Sequence, residues 1–475
     1  MAAVWGEITA EEILVAVNGV QISGDKKTRL TGISTDSRVT RAGEIFLALK
    51  GDRYDGHDFV SKAVAKGAAG IIVRENNWDK KSIEGGRDSR DLVTITVTDT
   101  LKALGDLSGW WRRQYNPQIV AITGSAGKTT TKEMTANILE RANKTLKNIG
   151  NFNNLIGLPL TLLRLKKMHD KAVLEMGMNR PGEIARLTEI ADPHVGVITN
   201  VGRAHIEGLG DIEGVARAKV ELVDKISSRG KVVLNGDDEL LLKTASMFRK
   251  EMIRFGKGKM NDIRAVNIKN LGRKGVLFDL ESSERTWPVR LRTPGLQNVS
   301  NALAAASVCL CLHEPVENII EGLEQFEGVR GRFMVIALTR DITLIDDTYN
   351  SNPSSLTAAL ESVRALVHGD MKIIVGLGEM MELGKEAKEA HQEAGRKIAE
   401  LAPDFFSAIG EHAVDMIKGA LDAGLPDSKA KLAETHDDML KTIKDEMIDG
   451  CVIFIKGSRK MALEKVVDDL KSSVS

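Results

Sequence analysis

The sequence predicts an α/β protein made of three successive α/β domains, and three observations support this. The chain has 475 residues, which is enough for about three domains of roughly 150 residues each. Short apolar runs of strand length alternate with helical segments along the whole chain, as in proteins with parallel sheets. A glycine-containing loop near residue 124 separates a predicted strand from a predicted helix. We place the domains at 1–99, 100–328 and 329–475.

The composition excludes several classes of protein. Apolar residues make up 42% and charged residues 28% of the chain, which excludes collagen, coiled coils and disorder throughout. The 66 basic and 66 acidic residues cancel, so no overall positive field indicates nucleic acid as a partner. The longest apolar stretches are too short to span a bilayer, and the N-terminus lacks a signal-peptide pattern. We therefore expect a cytoplasmic protein without a transmembrane segment or a nucleic-acid partner.

The cysteines predict neither a disulfide framework nor a zinc site. There are three of them, Cys309, Cys311 and Cys451, and none has zinc-ligand spacing. Cys309 and Cys311 lie in the apolar run LAAASVCLCL, which predicts thiols buried in a core.

The first domain is predicted to be a small α/β unit. Its apolar runs indicate strands at 45–49, 71–73 and 93–97. The segment 58–68 between the first two has apolar residues at helical spacing. The polar segment NNWDKKSIEGGRDSRD, residues 76–91, indicates an exposed loop.

The second and third domains are predicted to be parallel, doubly wound sheets. In the second, a buried strand at 119–122 precedes a turn at 124–127 and a helix, and further strands follow near 172, 195 and 231. In the third, helical segments separate four predicted strands at 342–347, 372–378, 406–410 and 451–457.

The string TGSAGKTT is the strongest functional signal in the chain. Gly124 and Gly127 allow a tight turn close to an anion, and the N–H groups at the following helix start attract phosphate. Lys128 has the reach for the β- and γ-phosphates, and Thr129 or Thr130 offers a hydroxyl to Mg²⁺. The string departs from the common Walker A spacing, because Ile122 occupies the position of the first glycine. The predicted nucleotide-binding residues of the loop are Gly124, Ser125, Ala126, Gly127, Lys128, Thr129 and Thr130.

Several polar residues follow predicted strand ends, where open α/β sheets bind ligands. Glu175 ends one strand and His205 follows another, although each residue taken alone also fits a structural role. Lys219 lies in a helical pattern and taken alone indicates a surface lysine. Asparagines and aspartates in loops or at helix starts complete the candidates: Asn151, Asn153, Asn154, Asn298, Asn301, Asp346, Asp347, Asn350 and Asn352.

Taken in order, these strings resemble the Mur ligases, the ATP-dependent amide-forming enzymes of peptidoglycan synthesis. The matching strings are TGSAGKTT, EMG, TNVGRAHIEGLG, NVSNALAAA, GRF and DDTYNSNP, and they span nearly the whole chain. The N-terminal STDSR at 34–38, with GEIFLALKGDRYDGHDF, resembles the UDP-sugar-binding domain of the family. The resemblance implies a UDP-binding domain, a central P-loop ATPase domain and a C-terminal Rossmann-like domain that binds the incoming amine.

Three strings resemble those members that join D-alanyl-D-alanine to UDP-N-acetylmuramoyl-tripeptide: NFNNLIGLPLTLL, DDTYNSNPSS and GEMMELG. A sister ligase that adds the third amino acid typically has Asp-Tyr-Ala-His where this chain has Asp347-Thr348-Tyr349-Asn350, and Asp-Asn-Pro-Arg is absent. That sister remains an alternative. A folylpolyglutamate-synthase-like ligase is a weaker one, because the STDSR domain argues against it. A non-catalytic nucleotide switch is a third, although the chain lacks the guanine-binding Asn-Lys-x-Asp.

The resemblance also implies roles for residues, with ATP and two Mg²⁺ ions as cofactors and a monomer as the expected state. Lys128, Lys219 and His205 are implied to be catalytic, with Lys219 carbamylated. ATP is assigned to the phosphate-loop residues together with Asn298, Asn301, Arg332, Asp347 and Asn350. The implied metal ligands are Thr129, Glu175, His205 and carbamylated Lys219. The UDP substrate is assigned to Ser34, Asp36, Ser37, Arg38, Asn151, Asn153 and Asn154. His391 and Glu382 are weak candidates for the base that deprotonates the amine.

Overall fold

The computed structural model describes residues 3–51, 53–76, 91–283 and 285–473. They pack as two compact units whose limits do not follow the chain order. The first unit consists of Met1–Ile119, Lys144–Met176 and Ala185–Pro193, and the second of Val120–Asn143, Gly177–Ile184 and His194–Ser475. The exposed loop predicted at 76–91 lies outside the described residues except at its two ends. The three-domain boundaries stay a prediction.

A six-stranded sheet is formed by the described part of the N-terminal region, with strand order β1-β3-β4-β5-β6-β2. Two outer pairs, β1 with β3 and β2 with β6, are antiparallel, and the inner pairs are parallel. The three predicted strands correspond to β4, β5 and β6, with β4 shorter than predicted, whereas β1, β2 and β3 were not predicted. The elements are β1 (Ala3–Thr9), α1 (Ala10–Val17), β2 (Val20–Ser23), β3 (Arg29–Ser34), β4 (Ile45–Leu47), α2 (Val60–Ala65), β5 (Gly70–Arg74), β6 (Val93–Val97) and α3 (Thr100–Tyr115).

The central part of the chain alternates strands and helices as far as residue 256 and then forms antiparallel hairpins. Its elements are β7 (Gln118–Thr123), α4 (Lys128–Leu139), β8 (Thr145–Lys147), α5 (Gly157–Leu162), β9 (Lys171–Glu175), α6 (Glu183–Ala191), β10 (Val195–Ile198), α7 (Ile206–Leu209), α8 (Ile212–Lys225), β11 (Lys231–Asn235), α9 (Glu239–Ala245), β12 (Met252–Gly256), β13 (Ile263–Asn270), β14 (Val276–Ser282), β15 (Arg285–Leu291), α10 (Gln297–Cys311) and α11 (Val316–Glu324).

The central sheet is mixed, which the sequence did not predict. In the second unit β7, β10, β11, β12 and β13 lie side by side in parallel, whereas β14 and β15 continue the sheet in antiparallel hairpins. Alternate side chains of β14, such as Phe278 and Leu280, are buried. That period of two is typical of an antiparallel strand with one solvated face. In the first unit β8 and β9 pair in parallel.

The C-terminal sheet has the strand order β16-β17-β21-β18-β19-β20, in which β16 is antiparallel to β17 and the other pairs are parallel. Its elements are β16 (Met334–Ala337), β17 (Thr343–Asp347), α12 (Pro353–Leu366), β18 (Ile373–Gly378), α13 (Ala387–Leu401), β19 (Phe405–Ile409), α14 (Ala413–Asp422), β20 (Ala430–Ala433), α15 (His436–Glu446), β21 (Val452–Lys456) and α16 (Glu464–Ser473).

This C-terminal sheet has an apolar core on both faces, as a doubly wound sheet requires. Ile345 and Phe454 belong to the core on one face, and their chain neighbours Leu344 and Ile453 belong to the core on the other. The predicted α/β class with three sheets is therefore confirmed.

Two further expectations concern burial and membranes. Cys309, Cys311 and Cys451 are free and buried, as predicted for the first two. Among the helices formed by the described residues, none is both long enough and apolar enough to cross a membrane.

Candidate active site

The phosphate loop has the backbone that its glycines predicted. It connects β7 to α4, and both Gly124 (φ +153°) and Gly127 (φ +80°) have positive φ angles. A Cβ on Gly124 would lie 1.8 Å from Oγ1 of Thr199, and one on Gly127 would lie 2.3 Å from Oδ1 of Asn301. Glycine is therefore required at both positions for conformation and for space.

The loop that follows β10 holds the phosphate loop in place. The Asn200 side chain accepts from Ala126 N (2.9 Å) and donates to Ala126 O (3.1 Å). Ser125 Oγ donates to the carbonyl of Gly202 and accepts from its N–H. These bonds fix the backbone of residues 125 and 126 before any ligand arrives, which preorganises the loop.

Lys128 and Thr129 begin α4, where the helix dipole favours an anion. Lys128 Nζ donates to the carbonyl of Gly124 at 2.6 Å, so its ammonium lies over the loop. Arg332 donates from Nη2 to Oγ1 of Thr129 at 3.0 Å and stacks on the ring of Tyr349 at 4.0 Å. Its Nε is buried and has no hydrogen-bond partner among the described residues. Residues from both sides of position 328 thus meet at the phosphate loop.

Lys219 is buried rather than exposed, contrary to what its position in the sequence indicates when taken alone. It lies in α8 with 1% of its surface accessible. Burial lowers its pKa well below the usual lysine value, and the positive charge of Lys128 lowers the pKa further. A buried lysine with a lowered pKa is more often a neutral amine, and the neutral amine is the form that reacts with carbon dioxide.

His205 lies immediately before α7, with a positive φ of 58°. Its Nδ1 is 2.5 Å from Oε2 of Glu382, in the loop after β18. Contact with His205 is the main cause that lowers the pKa of Glu382, and the charge of Lys128 contributes as well. The structure therefore brings Lys128, Lys219, His205 and Thr129 into the same unit, with Glu382 beside His205.

Asn298 and Asn301 lie in the first turns of α10 and are buried. Asn301 donates to Oδ1 of Asn298 (3.2 Å), and Asn298 donates to the carbonyl of Pro294 (2.7 Å). Thr131 of α4 donates to Asn301 at 3.4 Å. The pair therefore supports the phosphate-loop helix. Asn298, Thr130 and Arg332 also line a small cavity of about 80 Å³.

Asp347, at the end of β17, has a lysine partner that the sequence did not suggest. Lys456 Nζ donates to Oδ2 of Asp347 at 2.6 Å and to the carbonyl of Asn350 at 3.0 Å. Oδ1 of Asp347 accepts from the N–H of Phe333 at 3.0 Å. Burial lowers the pKa of Lys456, while the negative charge of Asp347 opposes that effect. Asp347 thus anchors the segment that carries Arg332, and its predicted contact with ATP stays a prediction.

In the first unit, Glu175 is held by two asparagines. Asn153 donates to Oε1 of Glu175 at 2.9 Å, and Asn148 bonds both to the backbone N–H and to the carbonyl of Glu175. Asn154 caps α5 by accepting from Ile156 N and Gly157 N. The carbonyl of Asn151 accepts from Asn153 N at 2.7 Å. Asn148 was not predicted, although it stands only three residues before Asn151 in the same polar string.

The STDSR segment after β3 forms a tight turn in the first unit. Arg38 clamps the carboxylate of Asp36, and this contact lowers the pKa of Asp36 to about 2. Ser34 Oγ bonds to the carbonyl of Asp36 and to Thr40 Oγ1, and Ser37 is buried. The Arg38 side chain is mostly exposed, at 86%. The turn therefore presents a guanidinium on a fixed scaffold.

His391, one of the two candidate bases, has both ring nitrogens bonded to backbone. Its Nε2 accepts from Met380 N at 2.9 Å, and its Nδ1 faces the carbonyl of Ala387 at 2.6 Å. It is fully buried, and burial lowers its pKa. These contacts make it a structural residue.

A divalent cation is compatible with the residues of the second unit on chemical grounds. Within the described ranges, no three His, Cys, Asp or Glu side chains converge as a metal cage. Mg²⁺ usually takes only one or two protein ligands and completes its shell with phosphate oxygens and water. The hydroxyl of Thr129 suits that pattern as an oxygen ligand, and the imidazole of His205 is a further metal-binding group in the same unit.

A strand, a glycine-fixed loop and a helix that begins with lysine define a phosphate-loop nucleotide-binding protein of the α/β class. Three family models match the chain: "Mur ligase family, catalytic domain" at residues 29–109, "Mur ligase middle domain" at 122–309 and "Mur ligase, glutamate ligase domain" at 331–459. A relative from Escherichia coli strain K12, named UDP-N-acetylmuramoyl-tripeptide–D-alanyl-D-alanine ligase, is 35% identical over 98% of this chain and 99% of its own.

Two solved structures are similar over nearly their whole length. Crystal structure I of MurF from Acinetobacter baumannii is 34% identical, with a TM-score of 0.86, over 99% of this chain and 100% of that one. A MurF ligase from Thermotoga maritima in complex with ADP is 28% identical, with a TM-score of 0.81, over 93% and 97% respectively. The chain belongs to the Mur ligase family, and it is an ATP-dependent amide ligase.

Proposed function

We propose that this enzyme joins D-alanyl-D-alanine to UDP-N-acetylmuramoyl-tripeptide and forms the pentapeptide precursor of peptidoglycan in the cytoplasm. The observation that supports this most directly is the contact between Arg332 and Thr129, which unites the phosphate loop with the C-terminal segment. The names of relatives that match over nearly the whole chain support the same substrate pair. The DDTYNSNP and GEMMELG strings, both in loops after C-terminal strands, add to that support.

The reaction needs activation because oxide is a poor leaving group. Transfer of the γ-phosphoryl group from ATP to the substrate carboxylate gives an acyl phosphate, and the neutral amine of the dipeptide then displaces phosphate. Negative charge gathers on the phosphoryl group and the carboxylate during the first step. Lys128 and the loop N–H groups would stabilise that charge. Bound Mg²⁺ would add charge neutralisation on the phosphates, with Thr129, His205, Glu175 and carbamylated Lys219 as the proposed ligands.

Carbamylation of Lys219 is part of the proposal. The neutral amine would attack carbon dioxide, form an N–C bond and lose one proton, which changes a buried cation into an anion. An unmodified Lys219 ammonium would lie buried close to a second cation, Lys128. The carbamate would reverse that repulsion and provide oxygen ligands to a hard cation.

The sugar nucleotide would bind to the first unit through Ser34, Asp36, Ser37 and Arg38, with the asparagines at 151, 153 and 154 nearby. The adenine nucleotide would bind at the phosphate loop, with Asn298, Asn301, Arg332, Asp347 and Asn350 as the further predicted contacts. The enzyme would act as a monomer. D-Alanyl-D-alanine has small methyl side chains, and each methyl contact discriminates by only about 1–3 kcal/mol. Some tolerance of other small D,D-dipeptides should therefore follow.

The test is phosphate release with ATP, Mg²⁺, the tripeptide nucleotide and a panel of amines. We expect turnover with D-alanyl-D-alanine and none with free lysine or diaminopimelate on the dipeptide nucleotide. The matched control omits the tripeptide nucleotide, which separates ligation from background ATP hydrolysis. Turnover only with a free amino acid on the dipeptide nucleotide would identify the sister ligase instead.

A further inference from the structure

The loop after β18 contacts the turn that carries His205 at two points. Glu382 places its carboxylate 2.5 Å from Nδ1 of His205, and its backbone carbonyl accepts from the N–H of Glu207 at 3.2 Å. Nδ1 of His205 is buried, and its contact with Glu382 is an ion-pair contact without the geometry of a hydrogen bond. Side chain and main chain of one residue therefore both engage the same short turn.

Both partners of this contact have an uncommon backbone conformation. His205 has φ 58° and Glu382 has φ 63°, in the left-handed region that residues with a Cβ rarely adopt. Such conformations are strained and persist where surrounding contacts enforce them, which is most often at functional sites. Gly384, two residues further on, also has a positive φ. A Cβ added to Gly384 would lie 3.5 Å from Cα of Glu207. The loop is thus shaped to present Glu382 to the turn.

We propose that Glu382 is a positioning residue that orients the imidazole of His205 toward a divalent cation at the phosphate loop. A carboxylate facing Nδ1 keeps the proton on that nitrogen and leaves the lone pair of Nε2 for the cation. A metal-bound histidine usually has such a carboxylate or carbonyl partner on its second nitrogen. Glu382 does not need to touch the cation or the substrate in this role.

This inference rests on the proposed function, since it assumes a metal–nucleotide complex at the phosphate loop. It adds a consequence to that function. The loop after β18 belongs to the C-terminal sheet, whereas His205 and Lys128 follow strands of the central sheet. The metal site is therefore complete only when the C-terminal loop is seated on the His205 turn. Binding of the cation and seating of this loop should favour each other.

The test measures metal affinity rather than turnover. Mn²⁺ is titrated into the whole enzyme in the presence of β,γ-methylene-ATP, and free Mn²⁺ is followed by electron paramagnetic resonance. We expect Glu382→Ala to weaken Mn²⁺ binding by about 10–100-fold, the usual effect of losing such a partner. Glu382→Gln keeps an oxygen that can accept from Nδ1–H and should recover most of that loss.

Glu386→Ala is the matched control. Glu386 lies in the same segment and forms an exposed ion pair with Arg203 at 3.9 Å, close to the same turn but away from His205. We expect wild-type Mn²⁺ affinity in this variant, because exposed ion pairs contribute little. In a His205→Ala background, Glu382→Ala should cause no further loss, because the two residues act as one unit.

Several results would overturn the inference. Wild-type Mn²⁺ affinity in Glu382→Ala would do so, and so would a full further loss in the His205→Ala background. A raised KM for the dipeptide with unchanged Mn²⁺ affinity would make Glu382 a substrate contact instead. The phosphate-release assay on the wild type decides the proposed function separately, since Mn²⁺–nucleotide binding requires no amine substrate.

Discussion

The phosphate loop and the Asp347–Lys456 pair fix the same ligand-facing region by opposite means. The phosphate loop is one continuous string, and its shape depends on two glycines and on side-chain-to-backbone hydrogen bonds with the loop after β10. The Asp347–Lys456 pair joins two buried side chains that are 109 residues apart in sequence. The first site depends on local conformation and the second on a buried charge balance. Mutations of the buried pair should therefore lower the free energy of unfolding, whereas mutations of the loop glycines should lower nucleotide affinity.

The largest effect should come from breaking the buried pair. Lys456→Met leaves Asp347 without its cationic partner, and loss of one partner of a buried ion pair typically costs about 3–5 kcal/mol. We expect the free energy of unfolding, measured by urea denaturation, to fall by that amount. The double variant Asp347→Leu/Lys456→Met should lose much less than Lys456→Met, because no charge is left unpaired.

The control for this experiment is Arg459→Ala, which breaks an ion pair to Glu464 whose arginine side chain is 60% exposed. It should change stability by less than about 1 kcal/mol. Equal losses for Lys456→Met and Arg459→Ala would show that the pair adds nothing beyond a surface contact.

Lys219→Ala should give the next largest effect, and it should be on turnover alone. We expect the rate to fall by about a hundredfold or more, which is about 2.7 kcal/mol of barrier, while the ATP analogue still binds. Lys225→Ala is the control, since Lys225 lies on the same helix with 42% of its side chain exposed. Addition of ¹³C-bicarbonate should give a carbamate signal in the wild type and none in Lys219→Ala. Wild-type turnover in Lys219→Ala would remove the proposed carbamate from the mechanism.

Gly127→Ala tests the conformational side of the comparison. An alanine at this position would have a left-handed backbone conformation, which costs about 1–2 kcal/mol. Its Cβ would lie 2.3 Å from Oδ1 of Asn301. Nucleotide affinity, measured by calorimetry, should fall by about tenfold, since 1.4 kcal/mol is one decade. Gly424→Ala is the control, because that glycine has a similar φ of +97° with open space around it. Unchanged affinity in Gly127→Ala would show that the loop adapts and that its shape is not specified by glycine.

Local strings predicted the fold class, the strands of the C-terminal sheet and the phosphate loop, because each depends on residues adjacent in sequence. Long-range partners were not predicted. Lys456 ends a buried strand, and its partner Asp347 is 109 residues away in sequence. Asn148 stands in a string of asparagines, and like Asn153 it contacts Glu175, which the sequence does not reveal. Lys219 stands four residues after Val215 and three before Leu222, so it shares the apolar face of α8, and this helical spacing indicates its burial. A charged residue at the end of an apolar strand, such as Lys456 in CVIFIKG, is the pattern that indicates a buried partner of opposite charge.

The smallest expected effect is a pH dependence of stability due to His391. Burial lowers its pKa below 6.5 in the folded protein, so the unfolded chain binds the proton more tightly. The contribution of His391 to the free energy of unfolding is therefore fully present above pH 6.5. It is lost as the pH falls from 6.5 toward the pKa of His391 in the folded protein. Protonation of Nε2 would also oppose the N–H of Met380, which donates to that nitrogen.

Because one proton is involved, this group can change the free energy of unfolding by at most about 1.4 kcal/mol per pH unit. The variant His391→Gln keeps an acceptor for Met380 N and a donor for the Ala387 carbonyl but cannot be protonated. When the pH is lowered from one unit above 6.5 to one unit below 6.5, the melting temperature of this variant should therefore fall less than that of the wild type. His412 stacks on His391 with ring centroids 4.8 Å apart, so the comparison is repeated in a His412→Phe background. Parallel melting curves for wild type and His391→Gln in both backgrounds would show that some other group controls the acid sensitivity.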